Sequence, residues 1–150
     1  MIIEFFKTDP GSKAPTRANP SDAGLDIYAR LNSRGVLVDV GASVVIPTGI
    51  KVGVPHGYML QVMNRSSIAA KKGLIVGAHV IDSGYDGEIF INLHNVGYRM
   101  QKIHDGDKIA QIVMIPVVPF RPVESKEDTL YSDGITISNR GDGALGSTGT

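Results

Sequence analysis

Short apolar runs separated by Gly, Pro, Asp and Asn set the rhythm of this chain. IIEFF (2–6), LDIYA (25–29), SVVI (43–46), IKVGV (50–54), YMLQVM (58–63), EIFINL (88–93) and KIAQIVMIPVV (108–118) each read as a strand, because β-branched and aromatic residues suit a pleated, half-buried surface. In EIFINLHN the period of two is explicit: Ile89, Ile91 and Leu93 fall on one face, Phe90, Asn92 and His94 on the other. Turn residues recur about every ten positions, which predicts an all-β barrel or sandwich. Only SSIAAKKGL (66–74) breaks the pattern. It predicts a short helix with Ser66 as N-cap, a body through Ala69 and Ala70, and a stop at Gly73.

The last thirty residues carry no such rhythm. ESKED (124–128) is a charge run, and RGDGALGSTGT (140–150) places glycines at 141, 143, 146 and 149. The expected organisation is a single domain over 1–150: a β-barrel core over 1–120, a linker over 121–139 and a flexible, glycine-rich C-terminal arm over 140–150. A chain of 150 residues buries enough apolar surface to fold without disulfides or a structural metal.

Composition then removes whole classes of function. Fifteen Lys and Arg balance fifteen Asp and Glu, so the basic excess of a nucleic-acid-binding protein is missing. There is no cysteine, which excludes thiol catalysis and Cys-based zinc sites. Histidines 56, 79, 94 and 104 show no metal-ligand spacing. No apolar run reaches the roughly 18–20 residues of a membrane span. MIIEFFKTDPGSK, with Glu4 and Asp9, reads as a first strand and not as a signal peptide. A cytoplasmic protein is expected.

Several segments could carry chemistry. Asp26 sits at the centre of an apolar strand, where a carboxylate needs a partner on a neighbouring strand or a cation. In MNRSSIAAKKGL (63–74), Arg65 with Ser66 and Ser67 at a strand-to-helix junction suits a phosphate; an ordinary helix start with a surface arginine is the plainer account. VIDSGYDGEI (80–89) brings Asp82, Tyr85 and Asp86 into a glycine-rich turn, which turn chemistry alone would also explain. GDKIAQ (106–111) puts Gln111 inside an apolar strand. The tail combines Arg140 with glycines, Ser147 and Thr148, donors that suit phosphate oxygens, but lacks the lysine and following helix of a P-loop.

Taken in order, AGLDIYA, NRSSIAAKKGL, GAHVIDSGYDGEI, GDKIAQI and RGDGALGSTG resemble the five signature motifs of the homotrimeric dUTP pyrophosphatases, across residues 23–149. The resemblance implies a jelly-roll-like β-barrel, a homotrimer with active sites at subunit interfaces, and hydrolysis of dUTP to dUMP and pyrophosphate with Mg²⁺. By resemblance, Asp82 is the base that activates the attacking water and Asp26 helps hold the Mg²⁺–triphosphate through water. Arg65, Ser66, Ser67 and Gln111 match phosphate-binding positions. Tyr85 packs on deoxyribose, and the backbone of a hairpin around 77–91, with Gly77 and His79, reads the uracil edge. Arg140, Leu145, Gly146, Ser147 and Thr148 match the arm that closes on base and phosphates. Asp86 matches no signature acid and reads as a turn residue.

Three positions depart from the family pattern. Leu145 stands where a phenylalanine stacks on the base, a contact worth about 1–3 kcal/mol in comparable systems, so weaker closure is expected. His79 stands where glycine is common, and Gly84 where many members have a second Asp. The Arg-Ser-Ser and Asp-x-Gly-Tyr strings are also similar to the dCTP deaminases of the same fold. Their proton-shuttling glutamate falls on Asn92, and an amide cannot shuttle a proton. Other proteins of this fold, phage-encoded ones among them, act as regulators that bind a protein partner. The resemblance leaves that role open beside hydrolysis.

Overall fold

The computed structural model describes residues 1–126 and residue 130. The chain divides into two compact units, Met1–Pro119 and Phe120–Thr150, and every strand and helix below lies in the first. Among the described residues, eleven strands and one helix follow one another as β1 (Phe5–Lys7), β2 (Leu25–Tyr28), β3 (Val36–Val38), β4 (Ser43–Pro47), β5 (Ile50–Val52), β6 (Tyr58–Met63), α1 (Ser66–Lys72), β7 (Leu74–Val76), β8 (Val80–Ile81), β9 (Phe90–Asn95), β10 (Gln101–Ile103) and β11 (Lys108–Pro116). All pairings are antiparallel. They form a four-stranded sheet β2-β11-β6-β8, a three-stranded sheet β4-β9-β7, and the pairs β1-β5 and β10-β3. The architecture is the expected jelly-roll-like β-barrel with one short helix.

Alternation fills the barrel. Ile89, Ile91 and Leu93 are buried and Phe90 is exposed, as the period of two requires. They join Ile27 and Ala29 near β2, Ile46, Ile50 and Val52 of β4 and β5, Leu60 and Val62 of β6, and Ile109, Ala110 and Ile112 of β11 in one core. Asn95 is buried among them. Its amide donates to the Val38 and Arg99 carbonyls, at 2.9 Å each, and its oxygen accepts from the Gly97 N–H. That satisfied side chain pins the β9–β10 turn to β3.

The helix differs from expectation at its start. Arg65 occupies the N-cap with extended dihedrals and makes no side-chain cap, and Ser66 is the first helical residue. The stop is as expected: Gly73 adopts φ 64° and its N–H returns to the Ala69 carbonyl. A Cβ at Gly73 would lie 2.6 Å from the Gly97 Cα and 2.7 Å from its nitrogen, and backbone cannot yield as a side-chain tip does. Gly73→Ala therefore combines left-handed strain with a backbone collision. It should cost about 1–3 kcal/mol and lower the Tm by roughly 3–10 °C, measured by thermal unfolding.

The segment 77–91 is enclosed by a wide β7–β9 hairpin, continued by the Gly77 N–H on the Asn92 carbonyl at 2.9 Å, but the strand inside it leaves that hairpin. β8 pairs with β6, whereas β9 pairs with β4 and β7. The loop between them crosses from one sheet to the other. Its base is fastened to the β4–β5 turn. Glu88 Oε1 accepts from the Thr48 and Gly49 N–H groups at 3.1 and 2.7 Å, and Thr48 Oγ1 donates to the Ile89 carbonyl at 2.7 Å.

Candidate active site

β2 and β11 run side by side with Asp26 aligned to Gln111. From this pairing the candidate phosphate residues converge. Asp26, Arg65, Ser66, Ser67 and Gln111 line one cleft of about 450 Å³, walled on its other side by Asp22, Ala23 and Gly24. The strand-centre carboxylate is thus no orphan. Asp26, with its side chain 13% exposed, takes Arg65 Nε on Oδ1 at 2.8 Å and Lys108 Nζ on Oδ2 at 2.7 Å. Among the described residues the Arg65 guanidinium makes its one ion pair through Nε, and Arg65 lines the cleft. The Gln111 amide donates to the Asn64 carbonyl at 2.8 Å. Its Oε1 packs against Gly24, so a Cβ there would require the end of the Gln111 side chain to shift.

Lys108 was not legible as a site residue in the sequence. Its hydrogen bond to Asp26 raises the ammonium above the ordinary lysine value of 10.5, against an opposing effect of burial. Folding raises this pKa. The pair's contribution is therefore full below 10.5 and is lost only as pH climbs through the higher folded value.

Removing the charge at Asp26 tests the trio. Asp26→Asn keeps the shape but leaves two cations facing an amide. The expected loss is about 1–3 kcal/mol, less than for a fully buried pair because Lys108 is more than a third exposed. A shifted urea midpoint at unchanged m-value would register it.

The second group lies in the crossing loop. Asp82 and Tyr85 line a separate recess of about 190 Å³ with Val80, Ile81, Glu88, Ile89 and Phe90. A tight turn holds them: the Tyr85 N–H reaches the Asp82 carbonyl at 3.2 Å, and Gly84 supplies φ 87°. Gly84 is therefore the residue type this turn favours. Ser83 Oγ donates to the Val54 carbonyl at 3.0 Å. Tyr85 folds over Gly87 and donates its hydroxyl to the Glu88 carbonyl at 2.8 Å. Asp82 is exposed and forms no ion pair among the described residues, whereas Asp86 meets Lys51 at 2.6 Å, in keeping with a turn residue.

Gly77 and His79 line neither recess. The Gly77 N–H donates to the Asn92 carbonyl at 2.9 Å, and a Cβ there would meet Asn92 Oδ1 at 2.1 Å. His79 is exposed, with Nδ1 3.1 Å from the Gly77 carbonyl. The Asn92 amide is itself engaged, by His94 Nε2 at 2.9 Å and the Ala78 N–H at 3.4 Å. Arg140, Leu145, Gly146, Ser147 and Thr148 lie outside the described residues. No group of three or more His, Cys, Asp or Glu able to cage a metal occurs among the described residues. The cleft is lined by two carboxylates, Asp22 and Asp26, too few to cage an ion, which suits one that keeps most of its own waters.

Fold and cleft together define a jelly-roll-like β-barrel protein with a cleft lined by arginine and serine, donor types that suit an anion. The dUTPase family model matches residues 11–149, and the chain belongs to the dUTPase family. Among relatives, the deoxyuridine 5'-triphosphate nucleotidohydrolase of Anaplasma marginale is 39% identical over 142 residues, covering 93% of this chain and 91% of that protein. The enzyme of the same name from Chlamydia trachomatis is 37% identical and covers 97% of both. Among solved structures, the Staphylococcus bacteriophage 80alpha dUTPase with dUPNHPP superposes at TM-score 0.84 with 24% identity, covering 99% of each chain. A variant of the phage phi11 dUTPase of S. aureus, with a structural Mg(II) ion, gives 0.76 and 24%, covering 85% of this chain and 98% of the other.

Proposed function

We propose that the chain is a dUTP diphosphatase, which hydrolyses dUTP to dUMP and pyrophosphate by attack of water on the α-phosphate. The observation that carries this reading is the dUTPase match over residues 11–149. The cleft of Asp26, Arg65, Ser66, Ser67 and Gln111 supplies the chemistry the match requires. Arg65 offers its guanidinium edge to the triphosphate, and the serine hydroxyls and Gln111 take further oxygens. Asp82 accepts the proton of the attacking water, a role open to an exposed carboxylate that forms no ion pair among the described residues. Tyr85 lies against the sugar. Mg²⁺ bound to the triphosphate would lower the repulsion that an incoming nucleophile meets, with Asp26 holding its water shell.

Asp26 and Asp82 line recesses with no residue in common. That supports a homotrimer in which the cleft of one subunit and the crossing loop of another complete each site. The arm residues Arg140, Leu145, Gly146, Ser147 and Thr148 close over the nucleotide in this reading, and the protein works in the cytoplasm. No described helix is long and apolar enough to cross a membrane.

The test is direct. The purified chain is mixed with Mg²⁺ and each deoxynucleoside triphosphate in turn, and pyrophosphate and ammonia are assayed. Pyrophosphate from dUTP, without ammonia from dCTP, is the expected result. Ammonia from dCTP would move the chain to the deaminases.

A further inference from the structure

We propose that Lys108 is a positioning residue for the phosphate cleft: a β-bulge turns it onto one oxygen of Asp26, so that the other oxygen is left to aim Arg65 at the ligand. The inference rests on the dUTP reading above and adds to it a residue outside the cleft wall.

Simple alternation along β11 would put Lys108 on the same face as Ala110 and Ile112, which are buried in the barrel. The strand does not alternate there. Lys108 aligns with Tyr28 and Ala110 with Ile27, so Ile109 is one residue too many against β2. Ile109 and Ala110 are both buried. The extra residue therefore reverses the facing of everything before it, and Lys108 emerges on the face of Tyr28, Asp26 and Gln111. An uninterrupted ladder would have sent the ammonium into the core.

Once there, Lys108 is held on two sides. Its ammonium lies 2.7 Å from Asp26 Oδ2 and 5.8 Å from the centroid of the Tyr28 ring, which Lys13 also approaches at 5.2 Å. Asp26 and Arg65 line the cleft, and Lys108 does not. Its influence on a ligand must therefore pass through Asp26. With one cation on each oxygen, the carboxylate cannot turn to take Arg65 in a two-pronged grip. Without Lys108, Oδ2 is free to accept a second guanidinium N–H, which would draw Arg65 out of the cleft and fill the edge that phosphate needs.

The test compares Lys108→Met, Lys108→Gln and Lys108→Arg, alone and with Arg65→Ala. It reads kcat and KM for dUTP, calorimetric binding of inorganic pyrophosphate with Mg²⁺, and Tm. Lys108→Met should raise KM and the pyrophosphate Kd about tenfold, the scale on which outer-shell partners act, with kcat changed by less than about threefold. Lys108→Arg should restore both constants, and Lys108→Gln should fall between. In the Arg65→Ala background Lys108→Met should add less than about twofold, because the group it positions is gone. Unchanged KM and Kd, or a full tenfold effect persisting without Arg65, would overturn the proposal and leave Lys108 a structural residue. If Lys108→Met does not fold, the Gln and Arg variants carry the same comparison. A wild-type chain that releases no pyrophosphate from dUTP would sink the functional reading instead, and pyrophosphate binding would still report on Lys108.

Discussion

Asp82→Asn should stop pyrophosphate release from dUTP, with turnover down by about a thousandfold or more, the upper range for loss of a general base. The amide has the carboxylate's shape but cannot accept the water's proton. Little else depends on that side chain. Asp82 is exposed and takes part in no ion pair among the described residues. The turn it starts is held by its backbone carbonyl, which the Tyr85 N–H reaches at 3.2 Å, and by Ser83 on the Val54 carbonyl. The Tm should therefore stay within a few degrees, and a non-hydrolysable dUTP analogue should still bind. Single-turnover kinetics, calorimetry and a thermal melt separate these outcomes. A variant that turns over at nearly the wild-type rate would remove Asp82 from the chemistry.

Deleting residues 140–150 should cost turnover at least about a hundredfold while sparing the barrel. The deletion removes Arg140, Gly146, Ser147 and Thr148 together. Each charge-assisted hydrogen bond lost to a phosphate is worth about 1.5–3 kcal/mol, roughly tenfold or more in rate apiece. The buried core residues among those described run from Ile27 to Ile112, all inside the unit Met1–Pro119. Melting temperature and gel-filtration volume should be close to those of the full chain, and kcat/KM should carry the whole effect. Full activity without the arm would show that the nucleotide is held by the barrel alone.

Legibility followed the length of the apolar run around each element: β1 and β5 have three residues each, yet the longer runs IIEFF and IKVGV announce them. The long strands β6, β9 and β11 and the helix stop at Gly73 were plain, because five or more alternating positions, or a glycine after a helical run, leave little choice. β3, β7, β8 and β10, of two or three residues each, were not, since so short a run has no period to read. Residue type points to Ser66 as the cap. The chain instead gives that position to Arg65, whose side chain is committed to Asp26.

The site divides along the same line. The sequence alone determined the all-β class, the core face of β9, and which acids and donors stand in the order of the dUTPase motifs, because these depend on local period and on residues near one another in the chain. Only the tertiary structure decided that β8 leaves the paired strands β7 and β9 around it and joins β6. The same holds for the meeting of Asp26 with both Arg65 and Lys108, and for the separation of Asp26 from Asp82 in two recesses. Those facts come from strand partnership and from one extra residue in β11. Both are settled by how distant segments bury their apolar faces together, and no local pattern carries that information.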